Sequence, residues 1–386
     1  MSCPRRFAAC AALLAVLPLA GCGKSFLNVG KLIADISQDS IAVDLFLIGD
    51  AGLPAPGGEP VLQALKSAAS RSPGNTLVVF LGDNLYPTGL PDTAGVERRE
   101  AERILDAQID AVRESGSRGI MVPGNHDWEA GGPGGLAAVM RQAQYVAARG
   151  QEAVRVLPVN GCPGPEVLDF GEALRLIVLD TQWWLHEFER PVRDSSPCAT
   201  KTEAQVVDSI RSALRNAATR STVVVAHHPL VSGGQHGGYF DWPSYLFPLH
   251  PWVRQAGFFA QQDVTGERYR RMIQYLTVAF REHPPLLYAA GHEHNLQVLR
   301  RNPARYMVVS GGGVYGHTTA VRAITGSQYV RRASGFMRLS ILQDGRARLA
   351  VIVVDGKGNY AENFSMWLEP TAGAPAQRAQ TRPATP

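Results

Sequence analysis

The 386-residue chain is long enough for a large core and, on length alone, for two domains. Its hydrophobic content of 45% and charged content of 19% exclude an intrinsically disordered protein. The formal net charge of +4, which falls by two once Arg5 and Arg6 leave with an N-terminal signal, is too balanced for nucleic-acid binding, and no nucleic-acid partner is expected.

An export signal opens the chain. Arg5 and Arg6 precede an apolar, small-residue run from Phe7 to Ala20, short of the ~20 apolar residues that a spanning helix needs. The run ends Leu19-Ala20-Gly21-Cys22, which resembles a bacterial lipobox, with cleavage before Cys22 and lipid on its sulfur. The alternative is an ordinary cleaved signal that leaves Cys22 as an incidental thiol. Gly23 follows, with no acidic residue for inner-membrane retention. The lipobox therefore implies a lipoprotein signal peptide over 1–21, a membrane anchor at Cys22, and a periplasmic or outer-membrane location. Residues 22–40 read as a tether.

Apolar runs of strand length then follow at Val43–Ile48, Thr76–Leu81, Gly119–Val122, Arg175–Leu179, Thr222–Ala226 and Leu286–Ala289. Helical patterns lie between several of them, at Val61–Ser70, Glu97–Ser115, Leu136–Arg149, Thr202–Thr219 and Glu267–Glu282. That alternation predicts βαβ units. Cys162 and Cys198 sit in Pro/Gly/Ser-rich loops, an even pair in an oxidising compartment, and are read either as a disulfide or as two separate thiols. Ser232–Gln262 breaks the rhythm with glycines, prolines and the aromatics Tyr239, Phe240, Trp242, Tyr245, Phe247, Trp252, Phe258 and Phe259. It reads as a folded flap beside a site or as a packing excursion. Gly335–Leu342, Ala347–Val354 and Tyr360–Trp367 alternate, with Asp344-Gly345 and Asp355-Gly356 between them, and predict antiparallel hairpins. Residues 370–386 are Pro/Ala/Thr/Arg-rich and are expected to be disordered. With no internal repeat and no sign of a second core, 41–369 is expected to form one catalytic domain.

Five apolar runs end in polar, ligand-type residues: Gly49-Asp50-Ala51-Gly52, Gly82-Asp83-Asn84-Leu85-Tyr86, Gly124-Asn125-His126-Asp127, Ala226-His227-His228-Pro229 and Gly291-His292-Glu293-His294. In open α/β sheets, ligands gather beyond the carboxyl ends of strands, so five segments can converge on one crevice. The mixture of Asp, Tyr, Asn and His donors suits iron, zinc or manganese without thiolates. A bridging carboxylate can hold two metals ~3.5–4 Å apart, the spacing used by phosphatases. Ser310-Gly311-Gly312-Gly313 lacks a following Lys-Ser/Thr and reads as a tight turn after a strand, not a phosphate loop. Asp127 reads as a carboxylate that orients a histidine. No G-x-S-x-G nucleophile elbow is present.

In order, the five blocks resemble the GDxG, GDxxY, GNH(D/E), VxxH and GHxH motifs of purple acid phosphatases, within the calcineurin-like metallophosphoesterases. Gly82–Leu90 (GDNLYPTGL) and Gly291–Gln297 (GHEHNLQ) are similar to the tartrate-resistant type beyond the ligands themselves. The resemblance implies an α/β fold, a β-sandwich flanked by helices in four layers (αββα). It implies that Asp50, Tyr86 and His294 bind a ferric iron, that Asn125, His227 and His292 bind Fe(II), Zn(II) or Mn(II), and that Asp83 bridges the two. Many calcineurin-like enzymes carry a histidine where Gly52 stands, and the Tyr86 phenolate takes its place. Tyrosine titrates near ~10, so only a strongly Lewis-acidic ion keeps it ionised. Of the adjacent His227 and His228, the spacing to Pro229 in the family selects His227, with His228 left to face substrate. His126 and His236 are expected to protonate the leaving group. The implied activity is hydrolysis of a small phosphomonoester by a metal-bound hydroxide. Alternatives are a phosphodiesterase or nucleotidase on the same scaffold, or a non-catalytic surface binding protein.

Overall fold

Long runs of apolar residues form strands buried on both faces, and this dictates the layering of the chain. The computed structural model describes residues 24–30, 32–239 and 260–369. Its strands are β1 (Leu27–Asn28), β2 (Ile41–Ile48), β3 (Thr76–Phe80), β4 (Arg118–Met121), β5 (Val154–Val156), β6 (Glu166–Phe170), β7 (Leu174–Val178), β8 (Ser221–Val225), β9 (Leu287–Ala290), β10 (Leu296–Leu299), β11 (Tyr306–Ser310), β12 (Ser327–Arg331), β13 (Gly335–Leu342), β14 (Ala347–Val354) and β15 (Tyr360–Leu368). They make two mixed sheets. Sheet I has the order β15-β14-β13-β2-β3-β4-β5, and sheet II the order β1-β12-β10-β11-β9-β8-β7-β6. The strands β2 to β5 run parallel, as do β7, β8, β9 and β11.

Alternate residues divide between layers. Val43, Leu45 and Leu47 of β2 meet Leu176, Val223 and Val308 of sheet II in the central core. Phe46 and Ile48 face outward onto α1 (Pro60–Ala69) and α2 (Val96–Ser115), with α3 (Gly135–Gly150) beside them. The outer face of sheet II is covered by the short α4 (Gln182–Leu185), α5 (Glu203–Arg215) and α6 (Glu267–Phe280). Burial on both faces explains why these strands read as continuous apolar runs. The result is the expected α/β sandwich in four layers. Thr202 and Gln205 form a capping box that starts α5, and Gly116, at φ +73°, ends α2 in the left-handed region that glycine tolerates.

Five strands carry no clear sequence signal: β1, β5, β6, β10 and β12. β5 and β6 end their sheets, and Glu166–Phe170 alternates between half-buried and exposed residues. β12 is the polar sequence Ser-Gln-Tyr-Val-Arg. Within the stretch read as a tether, β1 pairs antiparallel with β12, and Ile33 N–H donates to Ser365 Oγ at 2.9 Å. Cys162 and Cys198 form a disulfide, which settles the alternative left open by the sequence. The export signal, the C-terminal tail and residues 240–259 of the expected flap lie outside the described residues. No helix among the described residues is long and apolar enough to cross a membrane.

Candidate metal centre

The parallel strands of both sheets end at one seam of the sandwich. Sheet I presents Asp50 past β2, Asp83 and Tyr86 past β3, and Asn125 past β4. Sheet II presents His227 past β8, with His292 and His294 past β9. Oxygen donors thus come from one sheet and imidazoles from the other.

The seven residues expected to bind metal fall into two groups that share one oxygen. In the first, the Tyr86 hydroxyl lies 3.1 Å from Asp50 Oδ1, 3.1 Å from Asp83 Oδ2 and 3.0 Å from His294 Nε2. One phenol proton cannot satisfy both carboxylates. In the second, Asn125 Oδ1, His227 Nε2 and His292 Nδ1 are mutually 3.0–3.1 Å apart. His227 Nδ1 is turned to the carbonyl of Leu81 and His292 Nε2 to that of Gln262, each at 2.8 Å. Those carbonyls accept only N–H, so a neutral His227 and a neutral His292 aim bare lone pairs at each other and at the Asn125 oxygen. Three converging lone pairs need a cation. Asp83 Oδ2 stands 3.4 Å from His227 Nε2 and so belongs to both groups. The other oxygens of the two aspartates are already used, Asp83 Oδ1 by His126 N–H and Asp50 Oδ2 by His292 N–H.

Backbone strain gathers at the same residues. Asp50, Asp83 and His292 have φ of 59°, 52° and 71°, a region that side chains other than glycine rarely adopt. Neighbouring glycines allow the close approach. A Cβ at Gly124 would lie 2.3 Å from Asp83 Oδ1, and one at Gly311 would lie 2.7 Å from Asp50 Oδ2. The Ser310–Gly313 run is therefore a floor beneath the site.

The electrostatics show a site built for positive charge. Burial raises the Asp83 pKa, but the charges of His227 and His126 overcome it and hold the carboxyl well below its usual range. Burial opposes protonation of His227, yet the Asp83 carboxylate raises its pKa to about 9. A proton on His227 thus stands where a metal would. Burial, then the charges of Asp83 and Asp50, push Tyr86 well above its usual pKa, so a phenolate there requires a strong cation. The donor set therefore fits two metal ions, one in each group.

The two histidines expected at the leaving group sit at the rim. His126 turns Nδ1 to the carbonyl of Pro87 at 2.6 Å and has Nε2 4.0 Å from Asp83 Oδ2. His236 pairs through Nδ1 with Asp263 Oδ1 at 2.6 Å, and its ring stacks 4.0 Å from that of His292. His228 does not face an open substrate site. One of its nitrogens lies within 4.8 Å of one nitrogen each of His227 and His292, but it is fully buried, with Nδ1 at Thr181 Oγ1 and Nε2 at Gln262 Oε1. Both nitrogens are occupied, so it supports the wall and is not a ligand. Asp127 does not orient a histidine either. It accepts from Gly124 N–H, from Asn84 N–H and Nδ2, and from Gln142, and so pins two ligand loops together.

Four participants escaped the sequence reading. Asp263 carries no motif and lies beyond the flap from His236. Gln262 contributes a backbone carbonyl, which no side-chain pattern reveals. Glu293 accepts from Ser232 Oγ and Gly237 N–H, tying the His236 loop to the ligand loop. His317 lies with its ring 4.2 Å from that of His294. Its signal was available, since it follows the glycine run after a strand.

A helix-flanked double sheet with two donor groups at the strand ends defines a metallophosphoesterase fold. The chain belongs to the calcineurin-like phosphoesterase family, whose profile matches residues 43–296. That family is one of dinuclear metal-dependent phosphoesterase hydrolases, and this chain carries candidate ligand groups for such a centre. A search of curated protein sequences gave no match. Similar solved structures include GAP50, the anchor in the inner membrane complex of Plasmodium, at 16% identity and a TM-score of 0.55, covering 85% of this chain and 89% of that one. Another is the purple acid phosphatase PPD1 from yellow lupin (Lupinus luteus) seeds, at 15% identity and a TM-score of 0.54, covering 84% of this chain and 53% of that one. At these identities the likeness is one of fold.

Proposed function

We propose that this chain is an exported acid phosphatase of the purple, tartrate-resistant type, acting on small phosphomonoesters and anchored to a membrane by lipid at Cys22. The observation that carries the phosphatase reading is the pair of donor groups sharing Asp83 Oδ2. Asp50, Tyr86 and His294 would hold one ion, Asn125, His227 and His292 the other, and Asp83 would bridge them. The Tyr86 phenol supports iron(III) in the first position, because only a strongly acidic ion offsets the burial and anionic neighbours that hold its proton. The second ion would be Fe(II), Zn(II) or Mn(II). Two such ions supply an activated water, neutralise phosphoryl oxygens and stabilise the leaving oxygen.

The chain's own residues do the rest. The backbone carbonyls of Leu81 and Gln262 fix the histidine tautomers, and Asp127 fixes the ligand loops. His126 and His236 stand at the rim to place a proton on the departing alkoxide. Asp263 holds His236 by its other nitrogen. Metal analysis, a visible spectrum and rates on p-nitrophenyl phosphate and its bis-ester test the proposal together. Two ions including iron, a tyrosinate absorption band and a faster monoester rate are expected. Two zinc ions without the band would overturn the purple type, and a faster diester rate would favour a phosphodiesterase. A metal-free, inactive chain would leave the surface-binding reading, which the fold shared with an anchor protein supports.

A further inference from the structure

Among the described residues β1 pairs only with β12, so it ends sheet II with an unpaired edge. Such an edge is a template for unwanted pairing and is normally blunted by charge, proline or a cover. Here large apolar side chains flank it instead. Phe26, Val29 and Leu32 are 52%, 56% and 62% exposed. The two segments that form this edge carry charge of one sign, while Glu362 of the neighbouring β15 is paired with Arg348. No acidic residue occurs between Glu293 and Asp344, a stretch with seven arginines, and none occurs from Lys24 to Leu32. Arg331 lies with its guanidinium 5.7 Å from the Phe26 ring centroid, and Lys24, Arg331 and Arg332 form no ion pair among the described residues. Exposed apolar side chains interleaved with uncompensated cations are the signature of a surface that rests in a lipid headgroup layer.

The position of this edge in the chain names its occupant. Lys24 follows Cys22 by two residues, a reach of at most ~7 Å. We propose that the edge formed by Lys24–Gly30 and Leu32, with Arg331 and Arg332, lies against an anionic bilayer surface. The lipid proposed at Cys22 would deliver the edge to the membrane, and the edge itself supplies the contact. The contact continues to the candidate centre. Ala323 N–H donates to the Lys24 carbonyl, Arg322 N–H to that of Gly233, and Val321 bridges Gly234, just before His236. Thr319 N–H donates to the carbonyl of His294. The segment Thr319–Ala323 thus spans from a candidate ligand to the membrane edge, and the rim of the site is held toward the bilayer.

Hydrogen–deuterium exchange of the full exported chain on phosphatidylglycerol and on phosphatidylcholine vesicles tests this. Peptides covering 24–32 and 327–332 should exchange several-fold more slowly on the anionic vesicles. High salt should remove the difference, and strand β6, at the opposite edge, should not change. The double variant R331E/R332E should lose the effect. Equal exchange on both vesicles, equal protection over β6, or protection that follows protein concentration without lipid would each overturn the proposal, the last by pointing to edge pairing between copies. The mass of the N-terminal peptide reads the lipid on Cys22 separately. An unlipidated chain mixed with the same vesicles is held to the same outcome.

Discussion

Asp83 Oδ2 lies 3.4 Å from Nε2 of His227, and the two residues belong to opposite sheets. The pair closes the seam of the sandwich with a carboxylate from one side and an imidazole from the other. A negative charge and a lone pair at that distance call for a cation between them, a role that a proton or a metal ion can fill.

Asp83→Asn removes the charge while keeping the shape. Neither group then has its shared anion, so both ions bind more weakly and phosphatase activity falls by at least ~10². Metal content per chain and kcat are the measurements. Unchanged activity would sink the two-ion mechanism.

Tyr86→Phe removes one oxygen from the first group and leaves the second intact. The visible band should vanish and iron content should fall, while the second ion is retained. The fold should survive, because Tyr86 is bound to its surroundings mainly through the hydroxyl contacts and its ring packing on His126. Absorption with metal analysis separates this from general collapse. A band that survives in Tyr86→Phe would assign it to another residue.

The site was more legible in the sequence than the sheet edges were. Each ligand loop follows a run such as Val223–Ala226 that is buried on both faces, so apolar residues mark the strand and polar ones mark its end. The glycines signalled sharp turns and also permit the approach of Gly311 to Asp50. The edge strand β6, and β12 beneath the two-residue β1, escaped because a partly exposed strand mixes polar and apolar residues, as a loop does. Asp263 escaped because its pairing with His236 is set by tertiary structure. The role of His228 was misread because one adjacent histidine turns inward to Thr181, and spacing along the chain does not show which nitrogen is already bonded.

Asp263→Asn tests whether the His236 ring is held for proton delivery. The substitution leaves the loop anchored through Glu293. It weakens the bond that fixes the His236 tautomer. Esters with alkyl leaving groups, which need a proton, should lose roughly 100-fold in kcat, at the low end of general-acid effects. p-Nitrophenyl phosphate should lose only a few-fold, because its leaving group departs as the anion. A uniform loss on both substrates, or a change confined to KM, would show that Asp263 serves structure alone.

His186 gives the protein an acid-sensitive element away from the candidate metals. It is 1% exposed, packs on Trp128, and neither ring nitrogen has a hydrogen-bond partner among the described residues. Burial, then the charges of Arg190 and Arg268, lowers its pKa to about 4. The unfolded chain would titrate near ~6.5, so between those values the unfolded state binds more protons than the folded one. Stability therefore rises with pH through this window and is lost as pH falls from about 6.5 to about 4, by about 3 kcal/mol in all. Denaturant unfolding at both ends of the window measures it. His186→Gln should flatten the difference by about that amount relative to the parent, whatever its effect on stability at neutral pH. An unchanged slope would mean that His186 takes up its proton without unfolding, with Glu129 and Glu187, which raise its pKa in the folded state, stabilising the charge.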